Sequence, residues 1–237
     1  MADVHTKKQR SYNMSRIRSN KTSQKSYISH IPEQKIKQFQ KDILKWYKKH
    51  GRKFPWRNKS ATNYQRIISE VLLQRTRAET VGKFFPIFIK KYPSWRKLAK
   101  VSVKQLEKDL KPIGLYKQRS VRLHAFAKEM AKRNGRFPKN REEIDKIPFV
   151  GQYIGNSIEL FVFNRPRPLL DVNMARVLEK HFGKRKLRDI RYDPYLQEIS
   201  IRIVRHKECK EINWGILDIT SLFYTKNWEC IGFCVND

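Results

Sequence analysis

Hydrophobic residues recur every three or four positions along most of the chain from Pro32 onward, which is the spacing of helices with one buried face. Gly51, Gly135 and Gly183 follow three of these segments and mark expected helix ends. The spacing predicts helices around residues 36–47, 67–73, 81–88, 103–110, 121–130, 154–161, 172–178, 193–205 and 211–224. We find no pair of alternating strands and no repeat of about 20–50 residues, so the pattern predicts an all-α fold.

The charge balance points to a polyanionic partner. Lys and Arg number 53 and Asp and Glu number 22, which gives a formal net charge of +31 on 237 residues. Neutralising phosphates and releasing their counterions is the main physical use of such a surface, so nucleic acid is the expected partner. A merely solvated basic surface and an acidic membrane are the alternatives. No basic helix with a wide apolar face stands out for the membrane.

Composition excludes several other classes of protein. Hydrophobic residues make up 39% of the chain, too many for a disordered protein. No apolar run approaches the roughly 18–20 residues of a membrane helix, and the N-terminus lacks the apolar core of a signal peptide. Three cysteines are too few for a disulfide framework. A reducing cytoplasm is therefore the expected location, with no membrane partner.

A short turn at residues 147–153 lies between two predicted helices. Pro148 ends the first helix, and Gly151 permits a tight turn into the second. Such a turn presents backbone N–H groups and a helix N-terminus outward, an arrangement that binds a DNA phosphate. Arg141 and Lys146 add positive charge nearby. The alternative is an ordinary connection between two helices.

Six motifs occur in a fixed order along the chain. They are Phe54-Pro55-Trp56-Arg57, Ser69-Glu70-Val71-Leu72-Leu73-Gln74-Arg75-Thr76, Gly114-Leu115-Tyr116, Ile147 to Tyr153, Leu170-Asp171-Val172-Asn173-Met174-Ala175-Arg176-Val177, and Asn213-Trp214-Gly215-Ile216-Leu217-Asp218. Together they resemble the helix-hairpin-helix DNA glycosylase superfamily, the relatives of endonuclease III. The most similar branch contains the mismatch glycosylases that remove adenine or thymine. The resemblance covers about residues 32–230.

The resemblance implies two helical domains of the endonuclease III type. Residues 54–167 are expected to form a six-helix domain that contains the helix-hairpin-helix. Residues 29–53 are expected to join residues 168–237 in a second helical domain. Residues 1–28, which are polar and basic, are expected to form an arm outside both.

The metal site of the family is incomplete in this sequence. Relatives hold a [4Fe–4S] cluster with four cysteines after the last motif, whereas here Tyr224 stands at the first position and only Cys230 and Cys234 remain. We therefore predict that the iron–sulfur cluster is lost and that the protein binds no metal or other cofactor. A zinc site that adds His206 and Cys209 to these two cysteines is the alternative.

Three residues are expected to carry the chemistry. Asp171 matches the family's catalytic aspartate, which stabilises the positively charged sugar as the base departs; its alternative, compatible role is to cap the next helix. Glu70 lies in an apolar helix, where desolvation would raise its pKa and suit it to protonate the base, unless it is a surface or backbone-bonded Glu. Tyr153 stands where bifunctional relatives carry a strand-nicking lysine, and its alternative role is a supporting aromatic.

Further residues are expected to contact DNA. A base inside a duplex must be flipped out before it can be removed, and the resemblance places Gln74 in the vacated space with Arg75 beside it. Phe149 departs from the family because a glycine is usual there, which puts the hairpin's approach to phosphate in doubt. The other expected DNA contacts are Leu115, Tyr116, Lys117, Arg119, Val150, Gly151 and Gln152. Any of these residues could instead be plain surface.

The basic arm carries a second resemblance. Residues 1–22 are similar to the start of the very-short-patch-repair endonucleases, with matches at Met1 to His5, Arg10-Ser11, Asn13-Met14 and Ile17. In those enzymes the arm contacts DNA at T·G mismatches left by deamination of 5-methylcytosine. The match is short, and a solubilising tail is the alternative. It favours thymine as the base removed.

The leading hypothesis is a monofunctional DNA glycosylase that excises thymine, and uracil, opposite guanine in the repair of deaminated 5-methylcytosine. It would act as a monomer on double-stranded mismatched DNA, in the cytoplasm at the nucleoid. The alternatives are removal of adenine opposite guanine or 8-oxoguanine and removal of a modified pyrimidine. A protein of another class would bind mismatched DNA without catalysis, but the presence of Glu70, Tyr153 and Asp171 together argues against it.

Overall fold

The computed structural model describes residues 31–223. Its helices are α1 (Glu33–His50), α2 (Asn63–Leu73), α3 (Ala78–Lys91), α4 (Trp95–Ala99), α5 (Val103–Leu110), α6 (Tyr116–Lys132), α7 (Arg141–Asp145), α8 (Gln152–Phe163), α9 (Val172–Phe182), α10 (Pro194–Val204) and α11 (Cys209–Phe223). Residues 31–223 contain no strand, so the all-α prediction is confirmed. In the same range no helix is both long enough and apolar enough to span a membrane. The basic arm lies outside the described residues.

Local signals in the sequence set the starts of the helices that carry the site. Thr62 precedes α2, and its hydroxyl accepts the backbone N–H of Gln65 while the Gln65 side chain accepts the N–H of Thr62. Asp171 and Asp193 cap α9 and α10 in a related way, each accepting an N–H three residues on. Gly151, before α8, provides no side-chain cap. The first N–H groups of α8 therefore have no side-chain acceptor at the cap.

One hydrophobic core lies mainly between Phe54 and Leu169. Helices α2 and α8 pack on each other within it, and Ile67, Leu72 and Ile158 are fully buried. Burial of each such side chain contributes about 2 kcal/mol relative to exposure. Helix α6 packs against α4 and α5 on another side of this core. The packing of α2 on α8 holds Glu70 and Tyr153 on two adjacent helices.

A second core brings together the two ends of the described chain. Helix α1 packs on α11, and α11 also contacts α9 and α10. Ile36, Ile43, Leu178 and Ile216 are fully buried in this core. Gly215 allows the close approach of α11 to α1, since a Cβ there would lie 2.7 Å from the Ile43 side chain. The domain limits given above stay a prediction.

A buried ion-pair network connects the two cores. Asp218 on α11 is fully buried, and it accepts hydrogen bonds from Arg52 and Arg57 in the segment that precedes α2. Arg57 donates two of these bonds, at 2.7 and 2.9 Å, and its guanidinium lies 5.3 Å from the ring of Trp214. These contacts fix Arg57 between the cores. The fixed positive charge of Arg57 therefore influences the ionisation of titratable groups near it.

Candidate active site

Glu70 lies on α2 with its side chain turned into the protein. The residue is only 2% exposed. Burial raises the pKa of its carboxyl to about 7, against the lowering effects of a hydrogen bond from Tyr153 and of the charge on Arg57. The negative charge of Asp171 raises the pKa further. A carboxyl with this pKa is partly protonated at neutral pH and is suited to donate a proton.

Tyr153 is the second residue of α8, and its hydroxyl reaches across to α2. The O–H donates a hydrogen bond to Oε2 of Glu70 over 2.8 Å. Burial and the neighbouring charges of Glu70 and Asp171 hold the pKa of the phenol well above its ordinary value. The hydroxyl therefore stays protonated throughout the physiological range and acts as a donor.

Asp171 caps α9 and completes the group. Its Oδ1 accepts the backbone N–H of Met174 over 2.8 Å, and its Oδ2 accepts the side-chain N–H of Asn173 over 3.0 Å. Burial raises the pKa of this carboxyl, while the hydrogen bonds from Met174 and Asn173 lower it. Its charge acts on both Glu70 and Tyr153. The fold thus brings the three predicted catalytic residues together from α2, α8 and the start of α9, and Asp171 also has the capping role.

Sequence reasoning missed two residues of this group. Asn173 fixes the orientation of the Asp171 carboxylate, and Arg57 places a positive charge close to Glu70 and Tyr153. Both residues occur inside motifs that were recognised from the sequence, so the motifs contained the signal. Their contacts, however, depend on tertiary packing.

The hairpin at residues 147–153 divides its predicted DNA contacts between surface and core. Val150 is buried, with its N–H bonded to the carbonyl of Ile147, whereas Gly151 is exposed at the uncapped start of α8. Gln152 donates a side-chain hydrogen bond to Gln197 on α10 over 2.6 Å. The N-terminus of α8 is therefore the part of the hairpin that can receive an anion.

Phe149 occupies a left-handed backbone conformation in this hairpin, with φ of 62°. A residue with a Cβ adopts such a conformation at a cost of about 1 kcal/mol or more, and a glycine would avoid it. The Phe149 side chain is 55% exposed, and the guanidinium of Arg122 lies 5.9 Å from its ring. The replacement of glycine therefore keeps the turn and adds an exposed aromatic ring beside a cation.

Two loops face each other beside the site. Gln74 and Arg75 follow α2, and Leu115, Tyr116 and Lys117 lie at the start of α6. Arg75, Leu115 and Lys117 are exposed, and both Arg75 and Leu115 have left-handed backbones, with φ of 58° and 52°. A cleft of about 130 Å³ separates the loops, and Gln74, Arg75 and Leu115 contribute to its walls. Gln74, Arg75 and Leu115 therefore share one surface, whereas Tyr116 is partly buried and packs against the first core.

Arg119 is placed differently from the other predicted DNA contacts. It is only 5% exposed, and its guanidinium donates to the carbonyl oxygens of Gln74, Ile113 and Gly114 and to the hydroxyl of Thr76. Each of the two loops receives hydrogen bonds from this one side chain. Arg119 therefore holds the two loops together, and its direct contact with DNA stays a prediction.

Most of the residues that could bind a metal ion lie outside the described residues. Within residues 31–223, no group of three or more His, Cys, Asp or Glu side chains is arranged to hold a metal ion. Cys209 is buried near the start of α11, and burial raises the pKa of its thiol. Cys230 and Cys234 lie beyond the described residues, so the loss of the cluster and the zinc alternative both stay predictions.

The comparison with protein families concerns the segment that carries this site. The family model described as HhH-GPD superfamily base excision DNA repair protein matches residues 68–193, which include Glu70, Tyr153 and Asp171. The chain belongs to the HhH-GPD superfamily. This confirms the resemblance predicted from the six motifs.

Three known proteins show how similar this chain is to individual DNA glycosylases and endonucleases. A thymine/uracil-DNA glycosylase from Pyrobaculum aerophilum is 35% identical over 185 residues, which are 76% of this chain and 80% of that protein. The solved structure of a thermostable thymine-DNA glycosylase superposes with a TM-score of 0.75 at 30% identity and covers 84% of this chain and 93% of its own. An endonuclease III trapped in a covalent intermediate with DNA gives a TM-score of 0.62 at 22% identity, covering 79% and 85%. The endonuclease III type of fold is therefore confirmed.

Proposed function

We propose that this protein is a DNA glycosylase that removes thymine, and uracil, from mismatches with guanine. The observation that carries the proposal is the hydrogen bond from Tyr153 to a buried Glu70 beside Asp171. The thymine and thymine/uracil glycosylases among its relatives support the choice of base. Repair of deaminated 5-methylcytosine is the process in which such an activity acts.

The reaction breaks the bond between the sugar C1′ and the base nitrogen, and the electron pair of that bond leaves with the base. The sugar acquires oxocarbenium character, which the Asp171 carboxylate stabilises by its negative charge. Asn173 and the N–H of Met174 hold that carboxylate in one orientation. Because the orientation exists before DNA binds, little reorganisation is required when charge develops.

Glu70 acts on the departing base. Its raised pKa leaves the carboxyl partly protonated at neutral pH, and in the protonated form the proton passes to the base as the bond breaks. Tyr153 keeps the carboxyl turned toward the site through its hydrogen bond. A water molecule then adds to C1′ and gives up one proton, which restores the protonated form of Glu70 and balances the reaction as a hydrolysis.

We further propose that the enzyme does not cleave the strand. A strand-nicking glycosylase forms a Schiff base through an amine, and the phenol of Tyr153 cannot form one. Tyr153→Lys is therefore expected to add strand breaks that appear without alkali. Wild-type protein on the same G·U duplex provides the control. Breaks that still require hot alkali in every case would show that position 153 does not face C1′.

Several features of the protein are expected to bind DNA. The net charge of +31 attracts the backbone, and the uncapped N-terminus of α8 at Gly151 binds one phosphate. Gln74, Arg75 and Leu115 approach the space left by the extruded base from the two facing loops. Arg119 positions those loops. The enzyme acts as a monomer at the nucleoid, and the basic arm adds a further DNA contact.

The deciding experiment is a glycosylase assay on a panel of duplexes. The duplexes differ only in one pair: G·T, G·U, G·A, 8-oxoguanine·A, G paired with a modified pyrimidine, and matched G·C. Base release is measured with and without alkali. Excision from G·T and G·U is the expected result. Excision confined to adenine or to a modified pyrimidine would reject the proposed substrate, and mismatch binding without any excision would reject catalysis.

A further inference from the structure

Phe149 and Arg122 form an exposed contact that the proposed reaction does not use. Phe149 lies in the hairpin at residues 147–153, and Arg122 lies on α6. The guanidinium of Arg122 is 5.9 Å from the centre of the Phe149 ring, within the range of a cation–π contact. Both residues are exposed. The contact therefore connects the hairpin with α6 at the surface of the protein.

Phe149 occupies a backbone conformation that suits a glycine better than a phenylalanine. Its φ of 62° lies in the left-handed region, which a residue with a Cβ adopts at a cost and a glycine adopts freely. Burial offsets little of this cost, because the side chain is 55% exposed. Residues held in such conformations cluster at sites that bind ligands. The hairpin therefore carries a phenyl ring where the backbone alone would favour glycine.

Arg122 is available to bind an anion. Within residues 31–223, no carboxylate lies within salt-bridge distance of its guanidinium. Arg119, three positions earlier on α6, is buried and donates its hydrogen bonds to acceptors inside the protein. A guanidinium can bind a phosphate through two parallel hydrogen bonds. The two arginines of α6 therefore differ in what they can bind.

Arg122 also lies beside the loops that are expected to approach the extruded base. It lines the same cleft of about 130 Å³ as Gln74, Arg75 and Leu115. Its contact with Phe149 places it near the uncapped N-terminus of α8, which begins three residues after Phe149. Arg122 therefore contacts both of the surfaces on which DNA binding is expected.

The ring of Phe149 is suited to hold Arg122 in place. A long side chain at the surface loses conformational freedom when it binds a ligand, and this loss weakens binding. A guanidinium that is already held by an aromatic ring has lost part of that freedom in the unbound protein. The ring therefore prepares Arg122 to bind a phosphate.

We propose that Arg122 binds a phosphate of the DNA backbone between the hairpin and the two facing loops. Phe149 is a positioning residue that holds the Arg122 guanidinium for this contact. The cost of the left-handed backbone at Phe149 is then offset by tighter DNA binding. The inference rests on the proposed function in one respect, since it takes DNA as the ligand, and it is independent of which base is removed.

The contact is tested by binding to a G·T duplex that resists cleavage. A fluorine at the 2′ position of the thymidine gives this resistance, because it disfavours positive charge on the sugar. Arg122→Gln should weaken binding about tenfold at about 100 mM salt. The slope of log K against log salt should become shallower by about 0.9, the value expected for one lost phosphate contact.

Arg136→Gln is the matched control for Arg122→Gln. Arg136 is exposed and carries the same charge, but it lies beyond the far end of α6. That helix rises about 24 Å between Tyr116 and Lys132. The affinity and the salt slope of Arg136→Gln should both match those of the wild type.

Substitutions at Phe149 separate a positioning role from a structural one. Phe149→Gly should lower the affinity about fivefold, while the midpoint of urea unfolding stays the same or rises because the backbone strain is relieved. Phe149→Tyr keeps an aromatic ring and should bind like the wild type. In the Arg122→Gln background, Phe149→Gly should cause no further loss of affinity.

Several results would overturn the proposal. An unchanged salt slope in Arg122→Gln, or an equal loss of affinity in Arg136→Gln, would show that Arg122 makes no phosphate contact of its own. Wild-type affinity in Phe149→Gly, or additive losses in the double variant, would remove the positioning role. A lower unfolding midpoint in Phe149→Gly would assign the ring to the fold.

Excision from an ordinary G·T duplex separates this proposal from the proposed reaction. A shallower salt slope in Arg122→Gln, together with no excision by the wild type, would reject the reaction and support the phosphate contact. Wild-type excision together with an unchanged slope in Arg122→Gln would support the reaction and reject the contact.

Discussion

Two buried glutamates in this protein differ in almost everything except burial. Glu70 is 2% exposed and Glu159 is 1% exposed. Glu70 accepts a hydrogen bond from the neutral hydroxyl of Tyr153, and its pKa is raised to about 7. Glu159 lies near the opposite end of α8, the helix that carries Tyr153, and pairs with three arginines.

The arginines around Glu159 reverse the effect of burial. Arg141, Arg165 and Arg167 approach its carboxylate at 2.8, 3.2 and 3.0 Å. Burial alone raises the pKa of Glu159, but the hydrogen bonds and charges of these arginines together lower it. Glu159 is therefore a permanent anion that holds α7 and the segment after α8 in place. A buried carboxyl becomes a proton donor only where the protein leaves it without a cation bonded to it.

The largest effect is expected beside Glu70, at Asp171. Asp171→Asn should lower the single-turnover excision rate about 1,000-fold, because the neutral amide cannot stabilise the positive sugar. Asparagine is also a good helix cap, so α9 and mismatch binding should be preserved. Excision and binding are measured on the same G·T duplex, by product release and by gel shift. A rate within about tenfold of wild type would remove Asp171 from the chemistry.

The next effect separates the two glutamates directly. Glu70→Gln should lower the excision rate about 100-fold, because the amide cannot donate the carboxyl proton. Its stability above neutral pH should be unchanged or higher, since a buried charge is lost. Glu159→Gln is the matched control and should retain the wild-type rate. Equal losses of activity in both variants would show that Glu70, like Glu159, serves only the fold.

The free energy of unfolding should fall in Glu159→Gln and not in Glu70→Gln, the reverse of the order expected for activity. Glu159→Gln should lower the free energy of unfolding by about 2 kcal/mol, because Arg165 and Arg167 lose their anion and Arg141 keeps only Asp145. This figure is below that for a fully buried pair, since Arg165 and Arg167 are 43% and 38% exposed and are partly screened by water. Urea unfolding at pH 7.5 measures the loss, with Glu70→Gln as the comparison. An unchanged midpoint would mean that the arginine cluster does not stabilise the fold.

The smallest effect is a change in pH dependence. If Glu70 must be protonated, the excision rate falls as pH rises through its pKa of about 7. The hydrogen bond from Tyr153 lowers that pKa by stabilising the carboxylate, so Tyr153→Phe should move the midpoint to higher pH. The single-turnover rate is measured from pH 5.5 to 9 under saturating enzyme. A midpoint that stays in place or moves to lower pH would disprove the hydrogen bond's role.

The raised pKa of Glu70 also makes the folding stability depend on pH. The pKa of Glu70 is raised from its ordinary value of 4.5 to about 7 in the folded protein. The contribution of Glu70 to the free energy of unfolding is therefore complete below pH 4.5, and it is lost as pH rises through about 7. The pH profile of wild-type stability should be steeper in this range than that of Glu70→Gln.

Much of the fold could be predicted because its signals are local. The spacing of hydrophobic residues placed the longer helices but not the short α4 (Trp95–Ala99). Asp171 could be recognised as a cap from its position before Val172. The motif order also identified the family, since each motif contains its own residues regardless of packing. The motifs also supplied the residues of the two facing loops, as expected DNA contacts.

Other features could not be predicted because they join distant parts of the chain. The contact of Tyr153 with Glu70 spans 83 residues, and the contact of Arg57 with Asp218 spans 161. Arg119 is a basic residue of the kind that contacts DNA. Only the packing of α6 against the loop after α2 shows that its guanidinium is buried.

The sequence by itself determined the helical architecture, the superfamily and the side chains available for chemistry, because these depend on spacing and on residue type. Only the tertiary structure decided which carboxyl holds a proton and which arginine holds loops. Glu70 and Glu159 are chemically identical in the chain, and both lie in apolar helical surroundings. The free energy of ionising each one depends on the charges brought within a few ångströms by folding, and those charges come from distant positions in the sequence.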